Sequence, residues 1–148
     1  MDAVRDADST IRIAIRESAP ALHKDSADKR PSDHFLHGNP TLATVIYKGR
    51  SRSINPIRVS LLRDWGLSFL RDSTLSADFH REYLFQEGDS LFWLPVQDRV
   101  AAYFPKELRA GQQVNLYVIL IAGEYLDGKI TWAFIVNEFN TKPIAKTF

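Results

Sequence analysis

The stretch that decides the fold runs from Val114 to Phe139 and reads VNLYVILIAGEYLDGKITWAFIVNEF. Two apolar runs in it, residues 114–122 and 130–139, flank Asp127-Gly128, a dipeptide that strongly favours a tight hairpin turn. Alternate residues are apolar on both sides of each run, and strands that are apolar on both faces must be covered on both. This hairpin is therefore expected to form part of a closed or helix-covered sheet.

Further strands are predicted upstream of this hairpin. Gly88-Asp89 is typical of a second hairpin turn, and residues 98–108 read as a short crossover that breaks at Pro105. Three runs of strand-like sequence complete the set: Thr41 to Lys48, Glu82 to Glu87 and Leu91 to Val96.

One helix is predicted between the first two of these strands, over residues 56–71. Asn55 can cap it, and Pro56 suits a first turn that needs no backbone donor. Apolar residues at a spacing of four predict one buried stripe. Its members are Ile57, Leu61, Trp65 and Phe69, with Leu62 alongside.

These elements predict a mainly β (α+β) fold, a small five-stranded barrel of the oligonucleotide/oligosaccharide-binding (OB) or SH3-like type with one packed helix. A strongly curved antiparallel sheet with the same helix is the alternative. The predicted domain covers residues 39–140, and 141–148 form a C-terminal tail.

Residues 1–38 are predicted to be an exposed N-terminal arm, because residues 17–38 carry many charges and few large apolar side chains. Within the arm, Ile11, Ile13 and Ile15 alternate with polar or small residues, which favours a short strand over 10–16. A helix would leave Ile13 off the apolar face. Such a strand could pair with the main sheet or with another subunit, so a homo-oligomer formed through residues 10–16 is one prediction.

Composition excludes several classes of function. The 148 residues contain no cysteine, which removes disulfides, thiolate metal sites and cysteine nucleophiles. With 19 basic and 18 acidic side chains the net charge is +1, so nucleic acid is not the favoured partner on charge alone. No apolar run approaches a membrane span and no secretory signal is visible, so we expect no membrane partner and a cytoplasmic location.

Known catalytic and cofactor motifs are also absent from the sequence. No Gly-x-Ser-x-Gly elbow and no glycine-rich phosphate loop occurs, so we expect no cofactor and identify no catalytic residue. His34 and His37 lie three apart beside Asp33, with His23 upstream, a spacing that could bind a metal on a helix. Because a glycine and a proline follow, we interpret them as loop histidines and predict no metal site.

The candidate ligand-binding residues are basic and aromatic side chains and one acid. Cations interleaved with aromatic rings are typical of single-stranded nucleic-acid sites, and two basic clusters have this character. Glu138 shares a strand face with apolar residues and could point into a barrel mouth. The first basic cluster contains Lys48, Arg50 and Arg52, and the second contains Arg99, Lys106 and Arg109 beside Tyr103. The candidate ligand-binding residues are Trp93, Arg99, Tyr103, Lys106, Arg109 and Glu138.

We therefore predict a non-catalytic binding or interaction module, with an unknown small ligand or a protein as partner. The first alternative is a single-stranded nucleic-acid-binding protein, whose affinity would fall steeply with salt. The second is a small hydrolase or sugar-acting enzyme that uses Glu138 and another carboxylate.

Overall fold

A computed structural model of the protein describes Ile11, residues 33–72 and residues 74–142. Strands make up most of this part of the chain, and three α-helices and one 3-10 helix connect them. In chain order they are β1 (His34–His37), β2 (Thr41–Ser53), α1 (Pro56–Leu70), the 3-10 helix (Leu75–Asp78), β3 (Phe79–Glu87), β4 (Ser90–Gln97), α2 (Asp98–Ala101), α3 (Phe104–Glu107), β5 (Gln113–Glu124) and β6 (Ile130–Asn140).

Five of the strands close into a barrel. The order is β5-β2-β3-β4-β6, and β6 returns to pair with β5. All neighbours are antiparallel except β4 and β6, which run parallel where Val96 lies opposite Val136. The short strand β1 pairs with the end of β5 that β2 does not reach. The predicted small barrel with a packed helix is confirmed, in its closed form.

The inside of the barrel is filled by apolar side chains, and the crossover between β4 and β5 supplies one of the largest of them. Phe104 of α3 is almost completely buried. Its ring makes edge-to-face contacts with Tyr47, Tyr83 and Phe139, at centroid distances of 5.5, 5.0 and 5.1 Å. Such aromatic pairs contribute about 0.5–1.5 kcal/mol each beyond the area they bury. The crossover thus packs its apolar side into the barrel core.

Helix α1 covers the outside of the barrel, as its sequence predicted. The Asn55 side chain accepts a hydrogen bond from the Ile57 amide at 2.8 Å, which is the predicted cap. The buried residues of the helix pack against Ile121, Ala133 and Ile135 of β5 and β6. They are Leu61, Leu62, Trp65 and Gly66.

The predicted stripe of α1 is wrong at its two ends, since Ile57 is 62% and Phe69 43% exposed. The helix buries Gly66 instead, where an added Cβ would lie 2.8 Å from the Asp72 carbonyl oxygen and 3.0 Å from Leu75 Cβ. The segment that follows the helix therefore folds back against the face that carries Gly66.

The end of the predicted N-terminal arm differs from its sequence-based interpretation, because His34–His37 form strand β1 and are half-buried over most of their length. Ile11 has a helical backbone, is completely buried in the barrel core and donates its amide to Glu87 Oε1 at 3.1 Å. The rest of the predicted 10–16 strand and of the arm up to residue 32 lies outside the described residues, as do residues 143–148 of the predicted tail. The pairing of a 10–16 strand therefore stays a prediction.

Over the part of the chain that the structure describes, no helix has both the length and the apolar character needed to cross a bilayer.

Candidate ligand-binding site

A buried carboxylate organises the outer face of strands β2, β3 and β4. Glu82 of β3 is completely buried, and its register partner across the strand pair is Arg52 of β2. Arg52 Nε donates to Glu82 Oε1 at 2.9 Å, and Arg58 Nη1 of helix α1 donates to Glu82 Oε2. Acids are rarely buried without such partners, because an unpaired buried charge is costly. Glu82 therefore fixes two guanidinium groups beside each other.

Trp93 of β4 extends this arrangement with an aromatic surface. The Arg52 Cζ atom lies 4.2 Å from the centre of the Trp93 ring, within the range of a cation–π contact. Arg58 Nη1 also approaches the Trp93 carbonyl oxygen at 3.4 Å. We call these four residues, Arg52, Arg58, Glu82 and Trp93, the arginine–tryptophan face.

A pocket of about 500 Å³ opens beside the arginine–tryptophan face, between the start of α1 and the β5–β6 hairpin. This volume is typical of sites for small ligands or for one unit of a polymer. We call it the rim pocket. Its lining consists of three cations (Arg52, Arg58 and Lys129), two aliphatic side chains (Ile57 and Ile130), one indole (Trp132) and two neutral polar side chains (Asn55 and Thr131). That combination suits a ligand with an anionic group next to a flat apolar ring.

The hairpin wall of the rim pocket is fastened to the rest of the molecule. Tyr125 donates its hydroxyl to Asp64 Oδ2 of α1 at 3.1 Å, and the Leu126 amide donates to Asp33 Oδ1 at 2.8 Å. Phe35 of β1 packs edge-on against the Tyr125 ring at 5.5 Å. Burial, and after it the hydrogen bond to Asp64, raises the pKa of Tyr125 well above its usual value. The wall is thus held by two hydrogen bonds and one aromatic contact, to α1 on one side and to β1 and the residue before it on the other.

The structure divides the six predicted site residues among three places. Trp93 lies on the arginine–tryptophan face. Arg99, Tyr103 and Glu138 line a second pocket of about 420 Å³ between the crossover and the end of β6. The other two, Lys106 and Arg109, line a third, wider concavity of about 760 Å³ around the turn into β5.

Glu138 is exposed at the edge of its pocket, which also contains Glu107. The completely buried acid of the barrel is Glu82 instead, which sequence reasoning missed together with Arg58 and Lys129. Its only local signal is the period-two pattern of β3, which places Glu82 on the same strand face as Leu84.

The histidines of β1 do not form a metal site. Residues three apart on a strand point to opposite faces, so His34 and His37 cannot ligate one ion from the same side. Within the described ranges no group of three or more histidine, aspartate and glutamate side chains could hold a metal ion.

Comparisons with models of protein families, with curated proteins and with solved structures found no match to this chain.

Proposed function

We propose that the protein is a non-catalytic binding module whose ligand is single-stranded nucleic acid, held on the arginine–tryptophan face and in the rim pocket. The observation that carries this proposal is the stack of Arg52 on Trp93, with the same guanidinium fixed by buried Glu82. Single-stranded sites combine cations that follow the phosphates with rings that stack on bases. Both kinds of group meet here at one surface.

Fixed arginines suit this ligand better than mobile lysines would. A guanidinium has five donors in a planar fork that matches a phosphate, and less entropy is lost on binding when the fork is already oriented. Glu82 uses one donor atom of Arg52 and one of Arg58. Both side chains also line the rim pocket, where Ile57 and Trp132, which is partly buried against the barrel core, supply apolar surface for a base.

The position of the site on the barrel supports the same ligand class. Counted from β2 as the first barrel strand, the site uses Arg52 at the end of the first strand, the second and third strands, the connection between strands one and two, and the hairpin between strands four and five. OB barrels bind oligonucleotides and oligosaccharides on the second and third strands and in those two loops. The predicted cytoplasmic location would give such a site access to unpaired RNA.

The test is fluorescence anisotropy of the full chain with labelled 12-nucleotide single-stranded DNA and RNA, and with a duplex of the same length. We expect single strands to bind at low salt and more tightly than the duplex. Trp132→Ala should weaken binding at least about fivefold, because base–aromatic stacking contributes about 1–3 kcal/mol per base. Arg99→Ala, in the second pocket, is the control and should leave the affinity within about twofold of the wild type.

Two results would contradict the proposal. Absence of binding to any single strand at low salt removes nucleic acid as the ligand. Equal losses in Trp132→Ala and Arg99→Ala would remove the rim pocket as the site. Thermal unfolding of each variant separates a lost contact from a lost fold.

A second candidate function rests on the pocket that holds Glu138. Glu107 lies in the same pocket with Tyr103, so two carboxylates and an exposed ring share one concave surface, as a sugar-acting hydrolase needs. This candidate predicts turnover of chromogenic glycosides that Glu138→Gln abolishes and Glu124→Gln does not. No turnover by the wild type over a panel of such glycosides would remove it.

A further inference from the structure

Strand β2 touches the turn into β5 at a glycine. Gly49 has a φ of +73°, and a Cβ added there would lie 2.8 Å from Ala110 Cβ. The contact is held by two backbone hydrogen bonds, since the Gly111 amide donates to the Tyr47 carbonyl at 2.7 Å and the Tyr47 amide donates to the Gln112 carbonyl at 2.9 Å. The turn at residues 108–112 is therefore packed directly on the middle of β2.

This contact brings together two basic groups that are remote in the sequence. Lys48 and Arg50 flank Gly49 on β2, and Arg109 adjoins Ala110 in the turn. Lys106 and Arg109 line the same 760 Å³ concavity. The contact thus joins the two segments that carry these four cations, of which Lys48 extends toward β3, where its Nζ donates to Gln86 Oε1 at 3.1 Å.

The same strand continues from this point into the rim pocket. Arg52 follows Arg50 by two residues, and because of a β-bulge between Tyr47 and Ser51, residues 47–52 lie opposite only residues 82–85 of β3, a length of about 10 Å at 3.3 Å per residue. Arg52 then borders the pocket that contains Arg58 and Lys129. We call the whole series the basic track: Lys106, Arg109, Lys48, Arg50, Arg52, Arg58 and Lys129.

We propose that the basic track binds the sugar–phosphate backbone of an extended strand, so that the ligand is an oligomer of about four nucleotides or more lying along β2, with one base in the rim pocket. This inference rests on the proposed function. It adds the path of the nucleic acid across the barrel and the minimum length of the oligonucleotide. A mononucleotide could fill the rim pocket alone, whereas only an oligomer can reach both Lys129 and Arg109.

The charge of the track accounts for binding by a protein with a net charge of only +1. Binding depends on the local field, and the seven cations of the track outnumber the three acids on or beside it. Glu82 is buried under two arginines, Asp127 Oδ2 lies 4.0 Å from Lys129 Nζ, and Glu107 lines the same concavity as Lys106 and Arg109. Each phosphate neutralised on a single strand contributes about −0.7 to the slope of log K against log salt. If five of the seven cations engage, the slope is about −3.5.

The experiment is a length series of labelled single strands of 2, 4, 8 and 12 nucleotides, measured by anisotropy from low to moderate salt. Three variants are compared with the wild type. Lys106→Ala/Arg109→Ala removes the far end of the track, Lys129→Ala removes the pocket end, and Arg99→Ala/Lys142→Ala removes two charges outside it.

We expect wild-type affinity to rise with length up to at least four nucleotides. The far-end variant should bind the 2-mer like the wild type, bind the 12-mer about tenfold more weakly and show a salt slope smaller by about 1.4. Lys129→Ala should weaken all lengths, and the control double variant should match the wild type. These exposed substitutions are expected to leave thermal unfolding within a few degrees of the wild type.

The outcomes separate the two proposals. If the 2-mer binds as tightly as the 12-mer, or if Lys106→Ala/Arg109→Ala changes neither affinity nor slope while Lys129→Ala weakens binding, the track is refuted and the proposed function stands. If no length binds the wild type, the proposed function itself fails. If inorganic polyphosphate of equal charge competes as well as the 12-mer, the site recognises phosphates alone and the assignment of a base to the rim pocket is wrong.

Discussion

Arg52 is held from two directions, since its Cζ atom lies 4.2 Å from the centre of the Trp93 ring while its Nε atom donates to Glu82 at 2.9 Å. The ring and the carboxylate together restrict the orientation of the guanidinium. A cation fixed in this way differs from an ordinary surface arginine, because its remaining donors point in set directions. That difference can be measured without removing any charge.

Arg52→Lys keeps the charge and loses the planar fork. We expect a threefold to tenfold loss of affinity for a 12-nucleotide single strand, because a cation–π contact and a bidentate contact are each worth about 0.5–1 kcal/mol at an exposed site. The salt slope should stay unchanged, since the number of cations is the same. An unchanged affinity would show that Arg52 acts only as a point charge.

Glu82→Gln tests the buried acid. The substitution leaves two guanidinium groups without their counter-charge, and breaking a buried ion pair costs about 3–5 kcal/mol. Because both arginines are partly exposed, we expect a loss of about 3 kcal/mol in the free energy of unfolding, measured by urea denaturation. Glu138→Gln, an exposed substitution on β6, should change it by less than about 0.5 kcal/mol. Equal effects of the two substitutions would contradict the role of Glu82.

Tyr125 makes the stability of the protein sensitive to alkaline pH. Its pKa is raised in the folded state, whereas in the unfolded chain it titrates near 10. Above that pH the unfolded chain binds fewer protons than the folded one, so stability is full below pH 10 and decreases as the pH rises further. Burial also raises the pKa values of Tyr47 and Tyr83, which act in the same direction.

The measurement is the free energy of unfolding between pH 9 and 11.5 for the wild type and Tyr125→Phe. The wild type should lose stability with pH more steeply than Tyr125→Phe, and Tyr103→Phe, at an exposed position, should follow the wild type. Parallel curves for the wild type and Tyr125→Phe would show that Tyr125 is not the source of the loss of stability at alkaline pH.

Ile11 tests whether the N-terminal segment belongs to the barrel. Ile11→Ala removes a completely buried side chain and should destabilise the protein by about 2–4 kcal/mol. Ile57→Ala, the same change at an exposed position, should cost less than about 1 kcal/mol. Equal, small effects would show that the barrel does not depend on Ile11.

Light scattering on the wild type addresses the predicted self-association through residues 10–16. If the wild type is a homo-oligomer through that segment, its mass should be a multiple of the mass of one chain. A wild-type mass of one chain, 16.9 kDa, would remove that prediction.

Local signals in the sequence predicted the elements well. Asp127-Gly128 and Gly88-Asp89 lie in the turns of the β5–β6 and β3–β4 hairpins, and Asn55 caps helix α1. These are decided by residues within a few positions of one another. β1 escaped prediction because its four residues become a strand only by pairing with β5, far along the chain.

The candidate site could be predicted only in part, for the same physical reason. Glu82 is buried because Arg52 and Arg58 reach it from another strand and a helix. The sequence around Glu82 does not indicate those partners, because they lie far from it along the chain. The apolar strand neighbours of Glu138 favour it over Glu82 as a buried acid in the sequence, yet it is exposed near the end of β6. The joining of two basic clusters at Gly49 depends on one backbone contact of β2.

The closure of the barrel has a consequence for how the chain folds. The β3–β4 and β5–β6 hairpins pair residues that are close in sequence, but Thr44 and Asn115, whose side chains share a hydrogen bond between β2 and β5, are 71 positions apart. Such remote pairings must overcome a large loss of chain entropy before they gain any contact energy, so proteins rich in them fold in milliseconds to seconds. We expect both hairpins to form early in folding and the β2–β5 and β4–β6 strand pairings to form late. The arginine–tryptophan face, which needs β2 and α1 in place, would then be among the last surfaces of the protein to exist.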